Sequence, residues 1–192
     1  FRAEIEGGEV TAANALAKML RLQQATSGYA ALNNDIDTPV QIDTGKADAV
    51  AEILDDLPND EPVAVFARFR NDLDRICDAA AKCGRPAYQL RGGVNQYGEW
   101  LDAPGGAVFA VQIQAGGLGI DCTKAAYCIY YSVGFSLGDY EQSLARVHRG
   151  GQTRPVTYYH LVAAGTIDES VYDNLQEKKD IIESVLERYR AA

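Results

Sequence analysis

Along the chain, short runs of continuous apolar residues alternate with stretches in which apolar residues recur every three or four positions. Short runs of nearly continuous apolar residues, as at 63–67 and 107–113, are typical of strands buried on both faces of a parallel sheet. Stretches with apolar residues three or four apart, closed by Gly or Pro, predict helices. The predicted helices span 10–25, 46–57, 71–83, 95–101, 137–149 and 166–189, and the predicted strands span 39–43, 63–67, 87–91, 107–113, 126–133 and 156–163.

Strands that alternate with helices are typical of βαβ units and of a parallel sheet. We therefore predict an α/β fold, a doubly wound parallel sheet with helices on both faces. Residues 1–9 are interpreted as an incoming connector, 10–166 as the sheet domain, and 167–192 as a brace helix that opens on a capping box at 166–169.

The helix predicted at 137–149 has two different faces. Gln142, Arg146 and Arg149 share one face, and apolar residues occupy the opposite face. The segment 142–162 contains no acidic residue, so nothing nearby in sequence neutralises the two guanidiniums. Such a pair suits a polyanion, of which a nucleoside triphosphate is the obvious candidate. The alternative is that these cations only cap the helix before Gly150.

The segment 114–121 follows a predicted strand and has three glycines in four positions. Glycines allow the backbone to approach a phosphate closely, although a plain tight turn is the alternative. The pattern is not that of a dinucleotide fingerprint, and too few residues follow for the helix that such a site needs.

Arg68 and Asn71 follow the strand predicted at 63–67, at the sheet edge where ligands gather in open α/β folds. A guanidinium beside a helix start could meet a phosphate. The alternative is a solvated arginine near Asp72 and Asp74.

Four segments in order resemble motifs of one family. Residues 142–152 (QSLARVHRGGQ), 114–121 (QAGGLGID), 62–76 and 153–169 are similar to motifs VI, V and IV, and to the strand and helix start after motif VI, of SWI/SNF-type helicase-like ATPases. The resemblance covers roughly residues 15–185 and implies the C-terminal, RecA-like lobe of such a protein. The compact length and the segment 92–95 suggest a bacterial or phage type.

The resemblance also implies site residues. Arg146 and Arg149 would be catalytic arginine fingers on the γ-phosphate of ATP, with Gln142, Gly119 and Asp121 near the nucleotide. The residues implied to lie along the DNA backbone are Arg68, Asn71, Gly92, Gln114, Ala115 and Gly116.

The chain has no G-x-x-x-x-G-K-[ST] segment and no Asp-Glu pair at a strand end. ATP and Mg²⁺ are therefore expected to be bound mainly by an N-terminal RecA-like lobe in cis, and the isolated chain is expected to be inactive. The expected function is that of the second lobe of an ATP-dependent double-stranded-DNA translocase or helicase. The alternative is a non-catalytic DNA- or protein-binding module, and a nucleotide-sugar-binding domain is a distant third.

The net charge of −9 argues mildly against a dedicated nucleic-acid binder, but the segment 142–162 is locally basic. The four cysteines form two C-x5-C pairs, a spacing that favours buried thiols over a zinc site. No apolar run is long enough for a membrane span, so we expect a cytoplasmic protein without membrane partners.

Overall fold

The computed structural model of the chain describes residues 2–5, 8–11, 14–32 and 38–190. Its strands are β1 (Arg2–Ile5), β2 (Gly8–Thr11), β3 (Tyr29–Ala30), β4 (Val40–Gln41), β5 (Val63–Ala67), β6 (Ala87–Arg91), β7 (Val94–Asn95), β8 (Val108–Gln112), β9 (Tyr127–Tyr130) and β10 (Thr157–His160). Its helices are α1 (Ala15–Thr26), α2 (Gly45–Asp56), α3 (Arg70–Lys82), α4 (Tyr97–Asp102), α5 (Leu137–Val147) and α6 (Ile167–Arg190). A 3-10 turn spans Ile113–Leu118.

Six strands form the central sheet in the order β10-β9-β5-β8-β6-β7. All neighbouring pairs are parallel except β6 with β7, which form an antiparallel hairpin. The parallel register pairs Ala67 with Gln112, so the segments that follow β5 and β8 leave the sheet at the same edge. This arrangement confirms the predicted α/β fold and adds one short antiparallel strand.

Side chains of the central strands alternate between two buried layers. Phe66 and Phe109 belong to the layer that α4, α5 and α6 cover, whereas Val65 and Ala110 belong to the layer that α2 and α3 cover. All four side chains are fully buried. Helices therefore pack on both faces, which explains why these strands are apolar without alternation. The doubly wound arrangement is confirmed.

The helix predicted from residue 10 begins later, at Ala15, and its start was wrong. Val10 and Thr11 lie in β2, which pairs with β1 as an antiparallel hairpin. Asn14 is the N-cap, because its side chain accepts a hydrogen bond of 2.9 Å from the Ala17 N–H.

Arg85 and Lys124 donate hydrogen bonds to backbone carbonyls at the ends of two helices. Arg85 is buried and donates to the carbonyls of Leu54 and Leu57 at the end of α2, at 2.7 and 2.9 Å. Lys124 donates to the carbonyls of Trp100 and Ala103 at the end of α4, each at 2.8 Å. These bonds satisfy carbonyls that a helix end leaves without a partner.

α6 begins where the sequence predicts. The Thr166 hydroxyl accepts from the Asp168 N–H at 3.2 Å. No helix among the described residues is long and apolar enough to cross a lipid bilayer.

Candidate functional site

The predicted site residues lie in two places. α5 starts beyond the carboxyl end of β9 and packs across one face of the sheet, so its last residues lie apart from that edge of the sheet. One group surrounds the end of α5, and the other lies along the edge where β5, β6 and β8 end. The chain between Gln114 and Asp121 belongs to both groups, since it leaves β8 at that edge and then passes beside α5.

We call the first group the finger cluster and define it as Gly119, Ile120, Asp121, Arg146 and Arg149. The Cys122 N–H donates to the Arg146 carbonyl at 2.8 Å, and the Arg146 guanidinium donates to the Ile120 carbonyl at 3.4 Å. The end of α5 is therefore fastened to the segment 120–122 by two bonds of opposite direction.

The positive charges of Arg146 and Arg149 have no carboxylate at ion-pair distance among the described residues. Within the described residues neither forms an ion pair, and the Nε of Arg146 is buried without a hydrogen bond. The Arg146 guanidinium contacts Ile120 rather than the carbonyls of its own helix, so helix capping does not account for it. Arg149 is exposed beyond the end of α5.

Asp121 carries the negative charge of the finger cluster. Its Oδ1 accepts from the Thr123 N–H at 2.8 Å and from the Thr123 hydroxyl at 2.7 Å. These bonds, and more weakly the charge of Arg149, hold the pKa of the Asp121 carboxyl below its ordinary value. Asp121 is therefore an anion near Arg149 without forming a close ion pair with it.

Gly119 and Gln142 complete the predicted nucleotide-side set. Gly119 ends the 3-10 turn with φ of +71°, a left-handed conformation that favours glycine. Gln142 is exposed on α5, one helical turn before Arg146. Gly119 thus directly precedes the Ile120 carbonyl that Arg146 contacts, whereas Gln142 is open to solvent on the same helix as Arg146.

We call the second place the edge groove, an open groove lined by residues 90–95, Gln114 and Ala115. Gly92 and Gly93 form the turn between β6 and β7, where Gly93 has φ of +85°. A Cβ on Gly92 would stand 2.8 Å from the Arg70 guanidinium, the end of a flexible side chain. The groove brings Gly92, Gln114 and Ala115 together, and Gly116 follows in the same 3-10 turn.

Arg68 leaves the end of β5 at the same edge of the sheet. It is half-buried rather than solvated, and its guanidinium donates to the Gln23 side chain, which in turn donates to the Val133 carbonyl at 2.9 Å. Burial lowers the pKa of Arg68, against the attraction of Asp139 and Asp72. The alternative of a solvated arginine was therefore wrong. Asn71 is half-buried in the first turn of α3.

Asp72 is fully buried beneath Arg68. Its Oδ2 accepts from the Ser132 hydroxyl and, at 3.3 Å, from the Phe69 N–H, while Ser132 also accepts from the Arg68 N–H at 2.8 Å. Burial raises the pKa of Asp72 to about 6. This network fixes the backbone of Arg68 and joins the ends of β5 and β9.

The sequence interpretation missed three residues that position the site. The Gln23 side chain accepts from the Arg68 guanidinium, and the Ser132 hydroxyl accepts from the Arg68 N–H. The Tyr97 hydroxyl accepts from the Asp121 N–H. Each partner pair is separated by at least 24 residues, so no local pattern indicates these contacts.

The thiols of two cysteines are buried in the core, although the Cys122 backbone borders the finger cluster. Cys122 and Cys128 are buried in the layer beneath α5, and burial raises the pKa of Cys122 to about 12. The described residues contain no cluster of three or more His, Cys, Asp or Glu side chains that could hold a metal ion.

Comparison with known proteins adds an independent observation. Residues 45–151 match the family described as helicase conserved C-terminal domain. The chain is 30% identical over 152 residues to the chromatin-remodeling ATPase INO80 of Debaryomyces hansenii, an overlap that covers 76% of this chain and 11% of that protein. The INO80 of Saccharomyces cerevisiae is 38% identical over 89 residues, which cover 46% of this chain and 6% of that protein.

A solved structure agrees in fold and sequence. The crystal structure of the C-terminal part of the Fun30 ATPase domain superimposes with a TM-score of 0.59 at 27% identity, covering 68% of this chain and 45% of that one. The chain thus spans a small part of the curated relatives and under half of this structure. These relatives are eukaryotic, so the interpretation as a bacterial or phage type is not supported.

Proposed function

The chain belongs to the helicase conserved C-terminal domain family, in its SWI/SNF-type branch, and on that premise we propose that it supplies two arginine fingers to an ATP-driven translocase of double-stranded DNA. As the second ATPase lobe, it would close on nucleotide held by a first lobe. Arg146 and Arg149 would stabilise negative charge on the transferring γ-phosphoryl group. In well-studied NTPases such a finger contributes about 10³–10⁵ in rate.

The observation that carries this proposal is the pair of guanidiniums in the finger cluster, neither of which forms a close ion pair within the described residues. Arg149 is exposed, and the buried Nε of Arg146 has no hydrogen-bond partner within the described residues. Gly119 directly precedes Ile120, which Arg146 contacts, and it has no side chain that would obstruct a phosphate. A guanidinium matches the planar, multi-oxygen geometry of a phosphoryl group.

The edge groove supports the DNA part of the proposal. Arg68, Asn71, Gly92 and the backbone of 114–116 would meet phosphates of one duplex along the edge where β5, β6 and β8 end. Such contacts position a protein without reading base sequence, as a translocase requires. Gln142 would connect the nucleotide side to the DNA side, because it lies on α5 one turn from Arg146.

Binding of ATP and Mg²⁺ would depend mainly on the first lobe in cis. The described residues offer no group of carboxylates suited to a metal, and the chain contains no phosphate-binding lysine segment of the P-loop type. When bound, Mg²⁺ would neutralise charge on the phosphates. The present chain would contribute Arg146 and Arg149 from the opposite side. By itself it should not hydrolyse ATP. An intracellular setting is part of the same proposal, because the matched relatives are chromatin-remodeling ATPases.

The test is ATP hydrolysis by the two-lobe protein with and without duplex DNA. We expect duplex DNA to stimulate hydrolysis, and Arg146→Ala and Arg149→Ala each to lower the stimulated kcat by roughly 10³-fold or more. Lys82→Ala is the control, since Lys82 is exposed at the end of α3, which covers the opposite face of the sheet from α5. Stimulated hydrolysis that survives both finger substitutions would indicate instead a non-catalytic DNA- or protein-binding module.

A further inference from the structure

The hydroxyl of Tyr97 holds the backbone of Asp121 from both sides. It accepts a hydrogen bond from the Asp121 N–H at 2.9 Å and donates to the Asp121 carbonyl at 3.0 Å. One side-chain atom thus satisfies both backbone groups of a residue 24 positions away. The contact fixes Asp121 in both position and orientation.

The ring of Tyr97 is itself held by the core. Its centroid lies 5.8 Å from that of Phe109 and 6.3 Å from that of Trp100, and both of these side chains are fully buried. Phe109 belongs to the central strand β8. Packing against these two rings therefore orients the Tyr97 hydroxyl, whereas the Tyr97 backbone lies two residues after β7 and bonds to Asn95.

Tyr97 also touches the edge groove through its own backbone. Its N–H donates to the Asn95 side chain at 3.2 Å, and Asn95 lines the groove. On the other side, the neighbours of Asp121 are bonded to the end of α5. Ile120 accepts from the Arg146 guanidinium, and Cys122 donates to the Arg146 carbonyl. Tyr97 therefore stands between the groove and the finger cluster with a direct bond on each side.

We propose that Tyr97 is a positioning residue that sets the finger arginines and links them to the occupancy of the edge groove. This inference rests on the proposed function. A phosphate backbone in the groove would contact the hairpin of β6 and β7 directly before Tyr97. Any displacement there reaches residues 120–122 through the Tyr97 hydroxyl and thereby the guanidinium of Arg146. Tyr97 does not touch ATP, and its effect is exerted through the arginines.

Tyr97→Phe in the two-lobe protein is a conservative test, because it removes one oxygen and keeps the ring packing. We expect the duplex-stimulated kcat to fall roughly 10- to 100-fold, the scale expected for a displaced catalytic group. The KM for ATP and the duplex concentration that gives half-maximal stimulation should change less than about twofold, since no ligand contact is removed. Tyr172→Phe is the matched control, because within the described residues the buried Tyr172 hydroxyl has no hydrogen-bond partner. It should leave all three quantities unchanged.

A double-mutant cycle with Arg146→Ala separates positioning from a general loss of structure. If Tyr97 acts through Arg146, the double variant should have a kcat within about twofold of Arg146→Ala alone. Multiplicative effects would overturn the inference, and so would an unchanged kcat in Tyr97→Phe while Arg146→Ala is strongly impaired. An unchanged kcat in Tyr97→Phe together with an impaired Arg146→Ala would leave the proposed function intact. An unimpaired Arg146→Ala would overturn both.

Discussion

Lys46 and Asp168 form a buried ion pair, with 2.6 Å between Nζ and Oδ2 and side-chain exposures of 7% and 8%. Lys46 also donates to the Tyr131 carbonyl at 3.1 Å, and Asp168 accepts from the Thr26 hydroxyl at 2.9 Å. The pair therefore ties α6 to α1, α2 and the end of β9. α6 is thus fastened to the sheet domain at its first turn.

We predict that Asp168→Asn destabilises the chain by about 3–5 kcal/mol, because it leaves the Lys46 charge buried without its partner. Urea unfolding followed by circular dichroism measures this loss. Glu169→Gln, one residue further along and exposed, should change the free energy of unfolding by less than about 0.5 kcal/mol. Equal effects of the two substitutions would show that the pair contributes nothing specific.

Arg85→Met should cost about 3 kcal/mol or more of folding stability. The Arg85 guanidinium donates to five backbone carbonyls, those of Leu54, Leu57, Pro58, Glu61 and Gly106. Methionine has a similar length but no donor, so the buried carbonyls would lose their partner. Thermal unfolding checks the prediction against Lys82→Met, an exposed site on α3. A melting temperature equal to that of the control would contradict it.

Asp72 should make stability depend on pH between about 4 and 6. Its pKa is raised from 3.8 to about 6 in the folded chain, so in this window the folded state binds a proton that the unfolded state has lost. The contribution of Asp72 to stability is therefore present below pH 4 and is lost as the pH rises through 6. Its size is on the order of 3 kcal/mol.

The measurement for Asp72 is the difference in unfolding free energy between the wild type and Asp72→Asn across pH 4–7. We expect the wild type to lose stability relative to the variant as the pH rises. A difference that is constant over this range would show that burial does not perturb the Asp72 carboxyl.

If Arg68 meets a DNA phosphate, Arg68→Gln should weaken duplex binding by the two-lobe protein equally for different sequences. The slope of log affinity against log salt should decrease by roughly 1. Arg154→Gln removes the same charge far from the edge groove and should leave both quantities unchanged. Unaltered affinity and slope in Arg68→Gln would remove this residue from the proposed interface.

Much of the sheet was predictable from the sequence, because strands that are buried on both faces have continuous apolar runs. β5 and β6 begin and end at the predicted residues, 63–67 and 87–91. The hairpin of β1 and β2 was missed because its short, edge-like strands lack a continuous apolar run. There Val10 was assigned to a helix by its spacing to later apolar residues.

The candidate site was predictable only in part, because local spacing indicates a helix face but not the contacts between distant segments. Arg146 was predictable as part of a helix face, because a helix face depends on local spacing alone. Arg149 was predicted on the same face, and this was wrong, because α5 ends at Val147 and His148 is extended. The contact of Tyr97 with Asp121, and that of Gln23 with Arg68, join distant segments and follow from tertiary packing. Arg85 precedes a proline in a loop, and nothing in that local sequence indicates a buried guanidinium.

The central claim is that the finger arginines act on the transition state of phosphoryl transfer. Its most direct test compares binding of ADP and of ADP with aluminium fluoride, a transition-state analogue, to the two-lobe protein with duplex DNA. Arg149→Ala should weaken binding of the analogue by roughly 10³-fold and leave ADP affinity within about twofold, because only the analogue carries the charge that the finger would contact. An unchanged affinity for the analogue would contradict the account.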